Sequence, residues 1–233
     1  MSPQESLLDW RNSTRLIDTC YPPIDVFGDL TDDPAKNEAM WALESRTNPR
    51  IQNKAWDLGL VQPKDVVSGS DGAAILMASV MYVGIGTYSR FADGSFGAYY
   101  AGREPETAMR EYAYQAERYR ITHQLKAEIV SARAWVSRPV KPLHDLRGSG
   151  FEFLYDPAPT SYAVSAAFAR QLRDGGSWGL VYNSVRHKGG ECIAIFRPPA
   201  VTLPKQGGLY DFVFDGTQIT EVSKRSGPII KFS

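Results

Sequence analysis

The order of helix and strand patterns in the second part of the chain restricts its fold more than any other feature. The aromatic stretch "FGAYYA" is typical of a strand, and "EPETAMREYAYQAERY" is typical of a helix with Pro105 in its first turn. "QLKAEIVSARAWV" alternates in places and predicts a long strand. "TSYAVSAAFARQLRDGG" then predicts a second helix that stops at a glycine. Strand and helix patterns therefore alternate in this part of the chain.

Strand patterns dominate from there to the C-terminal region. The short apolar stretches "SWGLVYNS" and "ECIAIFR" flank a Gly-Gly loop, and "YDFVFDGTQITEV" predicts a hairpin that turns at Asp215 and Gly216. Two helices among mostly strands favour an α+β fold with a mixed or antiparallel central sheet and flanking helices.

The N-terminal part has a different, helical character. "TDDPAKNEAMWALESR" (residues 31–46) opens with capping residues and an early proline, which predicts a helix. A short apolar helix is expected to follow, with Ser70 or Asp71 as its cap. We therefore divide the chain into a helical N-terminal extension, residues 1–70, and a domain of residues 71–233.

Charge and hydropathy narrow the class of protein. Lys and Arg number 26, as do Asp and Glu, so the net charge of zero argues against a protein that coats nucleic acid, although a local basic pocket stays compatible with it. The N-terminus is too polar for a signal peptide, and the longest apolar run, Ala73 to Gly86, is too short to cross a bilayer. We expect a cytoplasmic protein without direct contact with membrane or nucleic acid.

Several common chemistries lack their sequence signatures. The three histidines, His123, His144 and His187, have no metal-ligand spacing to another His or Cys, and neither HExxH nor CxxC occurs. The glycine-rich nucleotide-binding motifs and the GxSxG elbow are also missing. Two distant cysteines do not make a disulfide framework. The sequence thus favours chemistry by carboxylates, arginines and aromatic residues, without a metal.

Taken alone, the candidate polar residues have ordinary explanations. A helical wheel places Glu111 off the apolar face and so predicts a solvated glutamate. Arg90 beside a turn is typical of a surface arginine, and Ser184 could simply end a strand. Tyr99 and Tyr100 point to opposite faces of a regular strand, so one of them lies in the core. The apolar face of the helix consists of Ala108, Met109, Tyr112, Ala113, Ala116 and Tyr119.

Three motifs in a fixed order carry a more specific signal. They are "RFADGSFGAYYA", the glutamate of "ETAMRE" eleven residues after Tyr100, and "YNSVR" before a glycine-rich turn. Together they resemble the RES-domain toxins of the Xre/RES toxin–antitoxin family, from about Asp71 to the C-terminus. The resemblance implies an ADP-ribosyltransferase-like fold and an enzyme that consumes NAD. One departure is Ser-Arg-Phe-Ala at Arg90, where shorter members often carry Gly-Arg-Trp-Asn.

The resemblance also assigns roles. Arg90, Glu111 and Ser184 take the positions of the arginine, glutamate and serine that name the family, and Tyr100 takes that of a pocket tyrosine. In physical terms, Arg90 suits the pyrophosphate of NAD and Tyr100 can stack on nicotinamide. Glu111 can stabilise the oxocarbenium-like state of glycosidic cleavage or bind the ribose, and Ser184 can hydrogen-bond the amide or the ribose.

Two further residues are weaker candidates for the binding of NAD. Tyr99 neighbours the pocket tyrosine, and Arg186 follows Ser184 by two residues, which places it on the same side of an extended chain. Both are predicted to contact the nucleotide if the strands are oriented accordingly.

The resemblance implies partners as well. A DNA-binding antitoxin of the Xre/ParS type is expected to cover the active site, and a cytosolic protein such as a phosphoribosyl pyrophosphate synthetase would accept ADP-ribose. Two alternatives stay open: an NAD phosphorylase or glycohydrolase that depletes NAD, and a non-catalytic module that binds a partner. NAD is the co-substrate in the enzymatic alternatives, and the assembly, including a homodimer, is left open.

Overall fold

A computed structural model describes residues 3–21, 61–81 and 88–225. The helix predicted at residues 31–46 lies outside these ranges. Three helices are described, namely α1 Asp71–Met81, α2 Pro105–Thr122 and α3 Tyr162–Asp174. The described strands are β1 Glu5–Ser6, β2 Ser13–Asp18, β3 Tyr99–Gly102, β4 Glu128–Ser137, β5 Leu143–Asp145, β6 Gly179–Asn183, β7 Glu191–Ile195, β8 Lys205–Phe214 and β9 Ile219–Lys224. Short 3-10 turns occupy Pro63–Asp65, Glu152–Leu154, Pro159–Ser161 and Pro198–Ala200.

The described strands form one sheet of nine, in the order β1-β5-β6-β7-β3-β2-β4-β8-β9. The pair β5–β6 is parallel, and the other pairs are antiparallel. This mixed sheet confirms the α+β class. The predicted hairpin joins β8 to β9, and the Asp215 carboxylate accepts the backbone N–H groups of Thr217 at 2.7 Å and Gln218 at 2.9 Å.

The described N-terminal residues differ from the helical extension predicted for residues 1–70. Residues 3–21 supply β1 at one edge of the sheet and β2 near the centre, and residues 61–70 contain one short 3-10 turn. All six residues of β2 pair with β4, so the predicted boundary at residue 70 does not separate this segment from the domain. The N-terminal segment belongs to the sheet because β2 pairs with backbone groups of the strands on both of its sides. Without β2, these two strands would be open edges.

The sheet opens between β2 and β3. These strands pair at a single position, Thr14 with Gly102, whereas β3 pairs with β7 at four positions. Since side chains from both strands can reach this opening, it positions the candidate site.

Helices cover both faces of the sheet. On one face, α2 packs Met109 and Tyr112 against a cluster that contains Phe212, and α3 packs Ala169 against Leu180. On the other face, α1 packs Leu76 against a separate cluster with Trp135 and Ile193. Ser70 caps α1, because its Oγ accepts the Ala73 N–H at 3.1 Å.

A glycine allows α2 to follow β3 closely. A Cβ on Gly102 would lie 2.7 Å from the Ala108 backbone nitrogen, inside van der Waals contact. Pro105 starts the helix as predicted, and the buried face includes Ala108 and Ala116. Tyr119 was predicted on that face but is 53% exposed, and it stacks on His123 with the ring centres 4.1 Å apart. Among the described helices, none is long and apolar enough to cross a membrane.

Candidate active site

A cavity of about 400 Å³ lies where β2 and β3 separate, on the face of the sheet covered by α2. Its charged lining consists of three arginines and one carboxylate, namely Arg15, Arg90, Arg118 and Glu111. Tyrosine rings, including that of Tyr100, form much of the rest. The cavity is therefore positively charged overall and suits an anionic ligand with an aromatic part.

Glu111 enters the cavity from α2. Together with Gln115 and Arg118 it occupies positions i, i+4 and i+7 of the helix, and all three residues line the cavity. The helical wheel predicted a solvated face here, but this polar stripe faces the cavity. The Cys192 thiol lies 4.0 Å from Glu111 Oε1, and burial raises the pKa of that thiol well above its ordinary value, with a smaller contribution from the charge of Glu111. Cys192 is therefore a neutral thiol at neutral pH.

Ser184 holds the Glu111 carboxylate. Its hydroxyl donates to Glu111 Oε1 at 2.6 Å, a length typical of a strong bond to a charged acceptor. Ser184 does not line the cavity. The sequence assigned its hydroxyl to the amide or ribose of the ligand, whereas the structure uses it to orient Glu111. Glu111 Oε2 has no hydrogen-bond partner within the described ranges and so can bind a ligand.

Arg90 divides its donors between the protein and the cavity. Its side chain is buried, and Nη1 donates to the carbonyl oxygens of Leu154 at 2.8 Å and Asp156 at 2.9 Å. The guanidinium carbon lies 4.9 Å from the centre of the Tyr162 ring. Nε and Nη2 have no hydrogen-bond partner in the part of the chain that the structure describes. Arg90 thus supports the segment across from it and keeps donors for a ligand.

Tyr100 lines the cavity and fixes the turn that carries Arg90. Its hydroxyl accepts the Phe91 N–H at 3.0 Å and lies 2.8 Å from Ser89 Oγ. Burial of the phenol raises the pKa of Tyr100 to about 12. The ring is therefore neutral at physiological pH, and its hydroxyl orders the backbone on both sides of Arg90.

The raised pKa predicts a loss of stability in alkali. Because the phenol pKa is about 12 in the folded chain and about 10 in the unfolded chain, Tyr100 stabilises the fold below about pH 10, and this contribution disappears as the pH rises through about 12. In urea unfolding at neutral pH, Tyr100→Phe should lower the free energy of unfolding by about 1 kcal/mol, since the Phe91 N–H loses its acceptor. The difference from wild type should shrink and then change sign as the pH rises from about 10 to about 12, because two pKa units are worth more than about 1 kcal/mol. A constant difference over that range would contradict the assignment.

Tyr99 and Arg186 lie outside the cavity. Tyr99 is fully buried on the opposite face of β3, with its hydroxyl 3.2 Å from Ser137 Oγ, because neighbouring strand residues alternate between faces. The Arg186 guanidinium carbon lies 3.5 Å from the centre of the Tyr114 ring, and Nη2 donates to the Pro157 carbonyl at 2.6 Å. Both residues thus make packing contacts outside the cavity, and their contact with a nucleotide stays a prediction.

Arg15 is the cavity residue that sequence reasoning missed. Its side chain leaves β2 on the same face as Trp135 and Tyr99 and reaches the cavity through the opening between β2 and β3, where Nη1 donates to the Tyr100 carbonyl at 3.1 Å. The guanidinium carbon is 5.2 Å from the centre of the Tyr99 ring, while Nε is buried without a hydrogen-bond partner among the described residues. Burial lowers the pKa of Arg15, although an arginine stays charged at neutral pH. A buried, unpartnered donor beside a cavity is a site for a ligand acceptor.

The match to a known family agrees with this arrangement. A family model described as the RES domain matches residues 67–215. The chain belongs to the RES-domain family. Comparison with the curated proteins gives no match. RES domains are toxin-associated domains of toxin–antitoxin systems and are linked to NAD-related activity, and RES-domain toxins generally pair with an antitoxin.

The matched range of the RES domain contains Arg90, Tyr100, Glu111 and Ser184 but not Arg15. The N-terminal strand therefore adds a cation to the cavity from outside the family-defined segment. Within residues 3–21, 61–81 and 88–225, no group of three or more His, Cys, Asp or Glu side chains could hold a metal ion.

Proposed function

We propose that the protein binds NAD in this cavity, cleaves the bond between nicotinamide and ribose, and transfers ADP-ribose to a cytosolic protein. The observation that carries the proposal is the Glu111 carboxylate, held by Ser184 at 2.6 Å in a cavity lined by three arginines. The proposal extends to a DNA-binding antitoxin of the Xre/ParS type that covers this cavity.

The arginines support a pyrophosphate ligand. Guanidinium groups bind phosphate oxygens through parallel N–H donors, which makes them suited to the two phosphates of NAD. Arg15 presents a buried Nε that has no partner in the described part of the chain, and leaving such a donor unsatisfied costs about 1–3 kcal/mol. A phosphate oxygen at this position would remove that cost, so the cavity is well matched to an anion.

The carboxylate supports glycosidic cleavage. When the bond from ribose C1′ to the nicotinamide nitrogen breaks, its electron pair moves to nicotinamide, which leaves as a neutral molecule, and positive charge develops on the ribose. Glu111 would stabilise this charge or hold the ribose 2′-hydroxyl. Because Ser184 fixes the carboxylate beforehand, little reorganisation is needed in the transition state. The acceptor then bonds to C1′ and loses its proton.

Incubation of the purified protein with NAD labelled in its adenylate half, in the presence of a cell lysate, tests the proposal. We expect release of nicotinamide together with a labelled protein band. Release without protein labelling, dependent on phosphate or occurring in plain buffer, would identify the phosphorylase or the glycohydrolase instead. If no nicotinamide is released under any of these conditions, the chain is not an NAD-cleaving enzyme.

Arg15 gives a prediction specific to NAD binding. Arg15→Met removes the cationic donors but keeps an unbranched side chain, so the KM for NAD should rise about tenfold, as expected for the loss of one charged hydrogen bond. The kcat should change much less, since the proposed contact of Arg15 is with a phosphate and not with the ribose. Arg138→Met is the matched control, because Arg138 is exposed and its side chain has no partner in the described part of the chain. An equal KM for Arg15→Met and the control would exclude Arg15 from the binding site.

A further inference from the structure

We propose that His187 is a positioning residue: its ring, bound to the Thr107 hydroxyl, holds the loop of residues 184–190 so that Ser184 stays directed at Glu111. The catalytic consequence rests on the proposed function.

The Ser184 hydroxyl has all of its hydrogen-bonding capacity in use. Its oxygen accepts the backbone N–H groups of Arg186 at 3.2 Å and His187 at 3.0 Å. A hydroxyl has one proton and two lone pairs, so the proton is left for Glu111, at 2.6 Å. The direction of this proton therefore depends on the backbone position of His187.

The side chain of His187 fixes that backbone position on α2. Its Nδ1 lies 2.9 Å from Thr107 Oγ1, and Thr107 is fully buried. Thr107 precedes Glu111 by four residues, so both side chains lie on the same side of the helix. The loop therefore contacts α2 at two points one turn apart, His187 on Thr107 and Ser184 on Glu111.

Gly190 permits this close contact. The loop closes through the Ser184 N–H to the Gly190 carbonyl at 2.8 Å and the Gly190 N–H to the His187 carbonyl at 2.9 Å. A Cβ on Gly190 would lie 2.6 Å from Thr107 Oγ1 and 2.8 Å from His187 Nδ1. Since both distances are too short for a side chain, the loop can pack here with glycine alone.

The contact does not require one protonation state of His187. Among the described residues, the Glu106 carboxylate lies nearest its ring, with Oε1 3.7 Å from Nε2, and this carboxylate also pairs with Arg110. A threonine hydroxyl can donate to a neutral Nδ1 or accept from a protonated one. The proposal therefore concerns geometry and not a pH switch.

Steady-state kinetics of nicotinamide release tests the inference. His187→Ala and Thr107→Val should each lower kcat about fivefold, the effect of one hydrogen bond, with little change in the KM for NAD. His187→Asn and Thr107→Ser, which keep a polar group at the contact, should restore most of the rate. In a Ser184→Ala background, His187→Ala should cause no further loss, because its effect passes through Ser184. The same fivefold loss in both backgrounds would overturn the inference.

Hydrogen exchange separates this inference from the proposed function. In the wild-type protein the amides of Arg186 and His187 should be protected from exchange, because both donate to the Ser184 hydroxyl. Both should exchange faster in His187→Ala and in Ser184→Ala. If the wild type releases no nicotinamide, the proposed function fails, and exchange alone decides whether His187 holds the loop. Unchanged protection in His187→Ala would overturn the inference, whatever the activity.

Discussion

Glu111→Gln is expected to lower the kcat for nicotinamide release about 100- to 1000-fold, the cost of removing one electrostatic contact to a transition state. The amide oxygen can still accept from Ser184, so the local structure should be kept while the negative charge is lost. The KM for NAD should change little, because the charge matters chiefly when the ribose becomes cationic. Initial rates over a range of NAD concentrations measure both quantities.

Glu221→Gln is the matched control for this prediction. Glu221 lies on β9 and is exposed, so its replacement should leave the rate unchanged. Growth provides a second measurement: wild type and Glu221→Gln, expressed without an antitoxin, should arrest cells, whereas Glu111→Gln should not. Equal toxicity of all three proteins would argue for the non-catalytic partner-binding alternative.

Arg90→Met is expected to lower the free energy of unfolding by about 3 kcal/mol, since two charged hydrogen bonds to backbone carbonyls are lost. The carbonyls of Leu154 and Asp156 would be left without their donor. NAD binding should weaken strongly as well, because Nε and Nη2 disappear with the guanidinium. Urea unfolding and NAD titration measure the two effects separately.

Arg138→Met serves again as the control and should change neither stability nor affinity. A single ordinary hydrogen bond is worth about 1 kcal/mol. If Arg90→Met lowers the free energy of unfolding by less than this, the structure of residues 154–156 does not depend on Arg90. Lost affinity with unchanged stability would limit Arg90 to ligand binding.

Local patterns in the sequence predicted much of this fold. Pro105 and the acidic first turn mark the start of α2, and the Asp215–Gly216 pair marks the hairpin, because caps and turns depend on residues close together in the chain. The place of β2 in the sheet could not be predicted this way. Its pairing with β4 joins residues more than a hundred positions apart, and its six residues lack an apolar run.

The candidate site was predictable only in part. Motif order singled out Arg90, Tyr100 and Glu111, which the structure brings to one cavity. A helical wheel could not distinguish a face exposed to solvent from one that lines a cavity, so Glu111 looked ordinary. Arg15 gave no signal, because its importance comes from the opening between β2 and β3.

The place of β2 beside that opening means that the family-matched segment and the described sheet have different limits. A protein cut to the matched residues 67–215 would lose β2, which pairs along its whole length with β4. Two inner strands would then become bare edges, and unprotected edges pair with other chains and aggregate. The cavity would also lose the wall that carries Arg15. Boundaries taken from sequence similarity alone would therefore remove part of the cavity along with a structural support.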